Sequence, residues 1–277
     1  MRAAVMRRST LVVDTVPDPK PGPGEVLVKT LACGICGSDL HALKHGARLA
    51  ELARDSGAPF DLDVGRDVVM GHEFCAEVLD YGPDTPVTVR PGARVVSMPV
   101  LFRGGRMAGV GYSNDVPGGY GELMVLNASL LLAVPNGLPT EHAALTEPLA
   151  VGVHVDVYRE TADLRPTVAF ECVGVPGMLE AVMRDAPHGA RIVVAGVCME
   201  ADRIQPMLGI NKELSLHFVL AYAPHEFADA LAALANGEVD AAPWVTGRVG
   251  VDGVAQAFTD LASPVRHAKI LVEPWRS

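Results

Sequence analysis

The sequence is poor in aromatic residues, which make up 5% of the chain, and it contains only 5 cysteines in 277 residues. It has no apolar run of the roughly 18 residues that a bilayer-spanning helix needs, which excludes an ordinary membrane span. Basic residues are also in the minority: 23 Lys and Arg stand against 33 Asp and Glu. The resulting net charge of -10 disfavours a nucleic-acid or anionic-membrane partner, so a small molecule is the expected partner.

The cysteine count and the N-terminal sequence both indicate the cellular compartment of the protein. An odd number of cysteines cannot pair completely, which favours a reducing environment where thiols serve as core residues or metal ligands. The first eight residues include three arginines, but the apolar stretch that follows is too short for the core of a signal peptide. We therefore expect a cytoplasmic protein.

The first half of the chain, to about Val134, consists of short β-branched runs separated by proline and glycine. This spacing predicts a small antiparallel barrel rather than alternating strands and helices. Within it, Leu49–Arg54 is expected to form a short helix inside a long loop. The predicted strands are Ala3–Met6, Val26–Leu31, Phe74–Tyr81, Arg94–Met98 and Leu123–Leu126.

From about Thr140 the pattern changes to continuous apolar runs that alternate with helix-like segments. Such runs are typical of buried parallel strands with crossover helices, so this part is predicted to be α/β. The predicted strands are Thr167–Val173, Arg191–Val197, Ser215–Tyr222 and His267–Val272, and the predicted helices are Gly177–Ala186 and Glu226–Asn236.

Three short segments contain side chains that could bind a metal at a catalytic site. The segment from Gly34 to His41 contains a thiol, a hydroxyl, a carboxylate and an imidazole; Gly71-His72-Glu73 follows some 35 residues later, and Glu147 precedes Pro148. Thiolate, imidazole and carboxylate together suit zinc, and three protein ligands with one open position are typical of a catalytic site. Taken singly, each segment has an ordinary explanation: a core cysteine, a chance triplet, or the start of a helix.

In this order, the segments resemble those of the medium-chain dehydrogenase/reductase superfamily, especially its zinc-containing alcohol and polyol dehydrogenases of the sorbitol dehydrogenase type. The resemblance implies that the metal is held by Cys36, His72 and one or both of Glu73 and Glu147. It also implies that Asp39 orients the imidazole of His72, a role that metal-bound imidazoles usually need filled. Zinc in such a site acts as a Lewis acid on an alcohol whose hydride passes to a nicotinamide.

The same resemblance implies a route for the alcohol proton. The hydroxyl of Ser38 receives it, and His41 passes it on to water. Both residues could instead be ordinary loop residues.

Two features depart from the family. The lobe from Val100 to Asn114 contains no cysteine, so the structural zinc of many relatives is excluded. No G-x-G-x-x-G turn follows the Glu147 segment, and the chain runs directly into a segment that resembles the fourth strand of the nucleotide domain. The turns that face the nicotinamide half in relatives remain, at Gly174 and Val175 and at Ala195, Gly196 and Val197.

The expected fold is therefore α/β: a GroES-like β-barrel catalytic domain at 1–149, a truncated Rossmann-type parallel sheet at 150–240, and a segment at 241–277 that returns to the catalytic domain. One catalytic zinc is expected, NAD or NADP binding is doubtful, and a homo-oligomer is expected because a half-sheet leaves an unpaired edge. Two alternatives stay open. The chain could be a non-catalytic zinc-binding or dimerisation module, or an internally deleted form of an ordinary dehydrogenase.

We predict one tightly held zinc per chain, because the catalytic ligand set is present whereas the lobe from Val100 to Asn114 offers no thiol for a second site. Elemental analysis of protein purified after zinc-supplemented expression checks this number. Two zinc ions per chain would mean that a site has been missed, and none would mean that the ligand motif has lost its function.

Overall fold

The computed structural model describes residues 1–56, 62–103, 105–135, 137–160, 167–263 and 266–276. The strands are β1 Arg2–Arg7, β2 Thr10–Thr15, β3 Glu25–Gly34, β4 Val68–Val69, β5 Glu73–Tyr81, β6 Arg94–Ser97, β7 Val100–Arg103, β8 Arg106–Gly109, β9 Leu123–Asn127, β10 Leu131–Ala133, β11 Val168–Glu171, β12 Arg191–Val194, β13 Ser215–Phe218, β14 Val245–Val249 and β15 Lys269–Val272. The helices are α1 Gly37–Ser56, α2 Thr140–Ala143, α3 Thr146–Glu160, α4 Met178–Asp185, α5 Pro206–Lys212, α6 Pro224–Ala235 and α7 Val254–Leu261.

The described residues divide into two compact units. The first unit comprises Met1–Pro148 and Phe227–Ser277, and the second comprises Leu149–Glu226. No helix among the described residues is long and apolar enough to cross a membrane.

The first unit is built on a seven-stranded sheet in the order β10-β6-β5-β3-β15-β14, with β9 also paired to β3. The long strand β3 is central to this sheet because it runs antiparallel to β5, β9 and β15. Its inward-facing side chains, including Val26, Val28 and Cys33, are fully buried. The predicted antiparallel architecture is confirmed, and each of the five predicted strands of this half lies within or overlaps an observed one.

Helix α1 is longer than predicted. The expectation was a short helix at Leu49–Arg54, whereas α1 runs over 20 residues with a kink at His45. Gly46 in its middle argues against a helix on propensity alone. Burial of Ala42, Leu49 and Ala50 against the unit outweighs that local cost.

The second unit contains a three-stranded parallel sheet in the order β11-β12-β13, with Phe170 opposite Val193 and Val193 opposite His217. Helix α4 covers one face, and its Met183 packs with Ile192 in a small buried cluster. The predicted α/β organisation is confirmed. Helix α5, which the sequence reading missed, is tied to α4 by Lys212, whose ammonium donates to the carbonyls of Met183, Arg184 and Ala186.

A half-exposed ion pair fastens β3 to β7 in the first unit. Arg103 donates to both carboxylate oxygens of Glu25 at 2.8 Å, and the amide of Gly22 donates to the same carboxylate at 2.7 Å. Burial opposes the charge on Glu25, but Arg103 and Gly22 outweigh burial and hold the pKa of Glu25 below its usual value.

We predict that Arg103→Met lowers the free energy of unfolding by about 1–2 kcal/mol at pH 7, a value reduced for the exposure of the Arg103 side chain. A carboxylate with a depressed pKa stabilises the fold above its unfolded pKa and loses that effect as the pH falls. The difference between variant and wild type should therefore shrink below about pH 4.3, the usual Glu value. Urea unfolding at several pH values measures it, and a difference that grows in acid would contradict the assignment.

Candidate metal centre

The turn between β3 and α1 presents a cysteine beside a helix N-terminus. Cys36 lies in this turn, one residue before α1 begins at Gly37. Asp39, in the first turn of α1, accepts a hydrogen bond from the amide of Cys36 at 3.0 Å. A carboxylate is favoured here because the first amides of a helix lack partners within the helix. The local sequence thus fixes the backbone that carries the Cys36 sulfur.

His72 and Glu73 enter the same place from the neighbouring strand. Glu73 is the first residue of β5 and pairs with Gly34, the last residue of β3. A Cβ atom on Gly34 would lie only 2.1 Å from Glu73 Oε2. The absence of a side chain at Gly34 therefore lets the Glu73 carboxylate lie across the end of β3, next to Cys36.

The ligand atoms of Cys36, His72 and Glu73 all lie within 4.8 Å of one another. Two donor atoms on one tetrahedral zinc are about 3.3–3.8 Å apart, given metal–ligand bonds of about 2.0–2.3 Å. Small side-chain movements would therefore bring these donors to bonding distance. His72 and Glu73 are buried and Cys36 is partly exposed, so the cluster has one accessible side.

Asp39 binds four groups from three parts of the chain. Besides the Cys36 amide, it accepts from the hydroxyl of Tyr120 at 2.7 Å and that of Tyr112 at 3.2 Å. Its Oδ1 lies 3.4 Å from Nδ1 of His72, a buried atom that has no well-aligned hydrogen bond to any of the described residues. Asp39 itself is fully buried. This is the arrangement in which a carboxylate fixes the orientation of a ligand imidazole.

The protonation states of this network follow from burial and charge. Burial raises the pKa of Tyr112 and Tyr120, helped by the negative charge of Asp39, so both hydroxyls stay protonated and donate. Burial disfavours charge on Asp39, but His72 and the hydrogen-bond donors outweigh it and lower the pKa of Asp39. Burial likewise opposes a charged His72, yet Asp39 and Cys36 raise the pKa of that imidazole well above its usual value.

A lysine from the last strand completes the cluster. Lys269, the first residue of β15, donates to both oxygens of Glu73 at 2.7 Å and to the carbonyl of Ile35 at 3.1 Å. Burial opposes its charge, but Glu73, Cys36 and Glu147 keep the pKa of Lys269 above its usual value. Glu147, which the resemblance gives as a ligand beside or instead of Glu73, lies in the first turn of α3 and is not among the residues whose ligand atoms lie within 4.8 Å of one another.

The free thiols differ in their surroundings. The five cysteines are Cys33, Cys36, Cys75, Cys172 and Cys198, and none is in a disulfide. Burial raises the pKa of Cys33 well above its usual value and that of Cys75 to about 12, so both remain neutral thiols. Cys36 is the cysteine that the structure brings to a histidine and a carboxylate.

The residues expected to move a proton lie on α1. The hydroxyl of Ser38 is 2.7 Å from that of Tyr112, which also donates to Asp39, so Ser38 is joined to the Asp39 network. His41 lies one turn further along α1 and is partly exposed. Sequence reasoning found neither Tyr112 nor Tyr120 nor Lys269, because nothing in their local sequence marks them and the fold alone brings them to Asp39 and Glu73.

In the second unit, the two turns expected to face a nicotinamide lie at the carboxyl ends of β11 and β12. They touch through their backbones: a Cβ atom on Gly196 would lie 2.4 Å from the nitrogen of Gly174. Glu171 ties them together, because its carboxylate accepts from the amides of Val173 and Gly174 while its carbonyl accepts from those of Ala195 and Gly196. Val175 and Val197 are more than a third exposed.

Comparison with known proteins yields a consistent set of relatives. Residues 22–136 match the family described as the alcohol dehydrogenase GroES-like domain. The chain is 23% identical to the (R,R)-butanediol dehydrogenase of Bacillus subtilis (strain 168), over 95% of this chain and 96% of that protein. It is 29% identical to the sorbitol dehydrogenase of Bos taurus, over 85% of this chain and 64% of that protein.

Solved structures agree on the fold. The crystal structure of 2R,3R-butanediol dehydrogenase from Bacillus subtilis superposes with a TM-score of 0.80 at 22% identity, with 99% of each chain covered. A zinc-binding dehydrogenase from Sinorhizobium meliloti 1021 bound to NADP gives a TM-score of 0.77 at 22% identity, again with 99% of each chain covered.

The alignment with the Bacillus subtilis relative is much longer than this chain. It runs over 339 positions, whereas this chain has 277 residues, so at least 62 aligned positions of the relative have no counterpart here. The relative is nevertheless covered almost from end to end. The difference in length therefore lies inside the alignment.

We predict that Asp39→Asn lowers the free energy of unfolding by about 2–4 kcal/mol, because an amide cannot accept from all the donors that surround this buried carboxylate. Zinc affinity should fall about 10- to 100-fold, the range found when an outer partner of a metal ligand is lost. Tyr120→Phe is the matched control, since it removes one of the donors to Asp39 and should have a smaller effect on both quantities. Unchanged zinc affinity in Asp39→Asn would contradict the role given to Asp39.

Proposed function

Because the chain belongs to the medium-chain dehydrogenase/reductase superfamily, we propose that it is a zinc-dependent oxidoreductase of the alcohol and polyol dehydrogenase type. Its reaction is the transfer of a hydride between a secondary alcohol or polyol and NAD or NADP, and cofactor binding is impaired in this chain. The observation that carries the proposal is the cluster of Cys36, His72 and Glu73 within 4.8 Å. Its substrate class follows the relatives, which include butanediol and sorbitol dehydrogenases.

The donor set fits zinc. A cysteine sulfur, an imidazole nitrogen and carboxylate oxygens are its usual ligands, and a catalytic site keeps one position for the substrate. Cys36 and His72 would hold the metal, with Glu73 or Glu147 as a third ligand. The buried Nδ1 of His72, which faces Asp39, supports this fit, because the other ring nitrogen is then the one offered to a metal.

When bound, zinc supplies Lewis acidity to the alcohol hydroxyl. The chain's own residues then have separate tasks. Asp39 holds the His72 ring, and Tyr112 holds the Ser38 hydroxyl in one orientation at 2.7 Å. Ser38 is the group we assign to accept the alcohol proton, and His41, on the partly exposed side of α1, is assigned to release it to water.

Among its described residues, the second unit offers few free donors for the phosphates of a dinucleotide, which supports the proposal of impaired cofactor binding. A nucleotide-binding sheet of this type holds its ligand where the strand order reverses, with the pyrophosphate at a helix N-terminus. In the described residues, the order β11-β12-β13 has no reversal. The amide of Gly177, at the start of α4, already donates to Asp202, and the turn amides of Val173 and Gly174 donate to Glu171. Two carboxylates thus accept hydrogen bonds from amides that could otherwise donate to a phosphate.

These observations favour one alternative as the second candidate. A chain that keeps its metal ligands but has lost its phosphate donors could act as a catalytically inactive zinc-binding or dimerisation module. An assay of reduced nicotinamide formation from NAD and a panel of diols separates the two functions. Turnover supports the enzyme, and metal binding without turnover at saturating cofactor supports the module.

Assembly and location are part of the same proposal. We assign a homo-oligomer because the second unit leaves large apolar side chains exposed: Ile210, Phe218 and Leu220 each expose 70% or 71% of their surface. Free thiols without disulfides support a cytoplasmic location.

We predict that this chain binds NAD and NADP at least about a hundredfold more weakly than the butanediol dehydrogenase of Bacillus subtilis. Each lost charged hydrogen bond is worth about 1.5–3 kcal/mol, and about 1.4 kcal/mol is tenfold in affinity. Calorimetric titration of both proteins with both cofactors measures the ratio. Low-micromolar affinity for either cofactor would contradict the impaired site and show that this chain, alone or with a second copy, still forms a working one.

A further inference from the structure

The hydroxyl of Tyr112 lies between Ser38 and Asp39. Its oxygen is 2.7 Å from the hydroxyl oxygen of Ser38 and 3.2 Å from Oδ1 of Asp39. The ring of Tyr112 packs beside the imidazole of His72, with 5.1 Å between the ring centroids. Tyr112 and Asp39 are buried, whereas Ser38 is partly exposed. Tyr112 therefore connects a buried carboxylate to a hydroxyl that a bound ligand can contact.

Tyr112 can donate to only one of these two neighbours, because a phenol has a single proton. Oxygen Oδ2 of Asp39 accepts from the amide of Cys36 and the hydroxyl of Tyr120. For Oδ1 of Asp39, Tyr112 is the one well-aligned donor in the part of the chain that the structure describes. A buried carboxylate oxygen without a donor is costly, and it has no proton to give in return. The proton of Tyr112 therefore lies on the Asp39 side.

The direction of the hydrogen bond to Ser38 follows from this assignment. With its own proton directed at Asp39, the Tyr112 oxygen accepts, so the Ser38 hydroxyl donates across the 2.7 Å contact. That bond uses the single proton of Ser38 and leaves the lone pairs of its oxygen unused. Within the described ranges, Ser38 has no other side-chain hydrogen bond. A ligand that reaches Ser38 therefore meets an acceptor and no donor.

We propose that Tyr112 is a positioning residue that makes Ser38 a hydrogen-bond acceptor and thereby selects an alcohol over the matching carbonyl compound. An alcohol hydroxyl donates to Ser38, whereas a ketone brings only lone pairs to an oxygen that has no proton left for it. This deepens the proposed function, because it rests on an alcohol bound at the metal beside Ser38. One neutral hydrogen bond corresponds to about 2- to 10-fold in affinity.

The test uses the whole protein loaded with cobalt(II), and its probes are isopropanol and acetone, which share one carbon skeleton. The absorption bands of the cobalt form report the binding of each probe at neutral pH. Tyr112→Phe removes the acceptor of the Ser38 proton, so the Ser38 hydroxyl becomes free to donate to a ketone. Affinity for acetone should therefore rise about 2- to 10-fold, whereas affinity for isopropanol should stay within about twofold of wild type.

Two further variants separate this effect from a general loss of structure. Tyr120→Phe is the matched control, because it also removes a phenol hydroxyl from Asp39 but not one that is bonded to Ser38. It should leave the ratio of isopropanol to acetone affinity unaltered. Ser38→Ala should lower the affinity for isopropanol about 2- to 10-fold and leave that for acetone unaltered. The double variant of Tyr112→Phe with Ser38→Ala should behave like Ser38→Ala alone.

The outcomes distinguish the two proposals. An unchanged affinity ratio in Tyr112→Phe, or an equal change in Tyr120→Phe, overturns the role of Tyr112 and leaves the metal site of the proposed function standing. If the Tyr112→Phe protein fails to fold, Ser38→Ala decides the question, because a loss of acetone affinity there would mean that Ser38 donates. A wild-type protein that takes up cobalt but responds to neither probe overturns this proposal and the substrate class of the proposed function. One that takes up no cobalt overturns both proposals.

Discussion

The buried carboxylate of Asp39 is the interaction on which the candidate site depends. It joins the Cys36 turn, the His72 side chain and the two tyrosine hydroxyls, of Tyr112 and Tyr120, from a later part of the chain. Desolvating such a charge is costly, and the fold offsets the cost by surrounding it with donors. The same donors fix the positions of the residues that would bind a metal. Stability and ligand geometry are therefore set by one network.

A second buried charge pair acts on the other side of the cluster. Lys269 and Glu73 neutralise each other, and both are anchored by strand pairing, through β15 and β5 to β3. The first unit thus brings Cys36, His72 and Glu73 together with both of the supporting ion contacts. The second unit keeps a parallel sheet and two tight turns, but the amides of Val173, Gly174 and Gly177 donate to the carboxylates of Glu171 and Asp202. We therefore propose that the difference in length from relatives impairs cofactor binding more than metal binding.

The sequence predicted local elements and motifs of this structure, but not the contacts between residues that are far apart in the chain. The strands of the parallel unit and its helix α4 follow from local patterns of apolar residues. The grouping of Cys36, His72 and Glu73 follows from the resemblance of their short motifs to those of a known family. The partners of those residues do not follow, since Lys269 and Glu73 are 196 residues apart and meet only through the sheet. The sequence did not predict the length of α1 either, because burial of the helix outweighs the low helix propensity of Gly46. Long-range ion pairs and burial are properties of the fold rather than of any one segment.

X-ray absorption at the zinc edge of the metal-loaded protein tests the central claim most directly, because it counts the atoms bound to the metal. A site built on Cys36 and His72 has one sulfur at about 2.3 Å and nitrogen or oxygen atoms at about 2.0–2.2 Å. The account predicts a single sulfur per zinc in the wild type, and none in any zinc that Cys36→Ser retains. Two or more sulfur atoms per zinc, or none in the wild type, would contradict it.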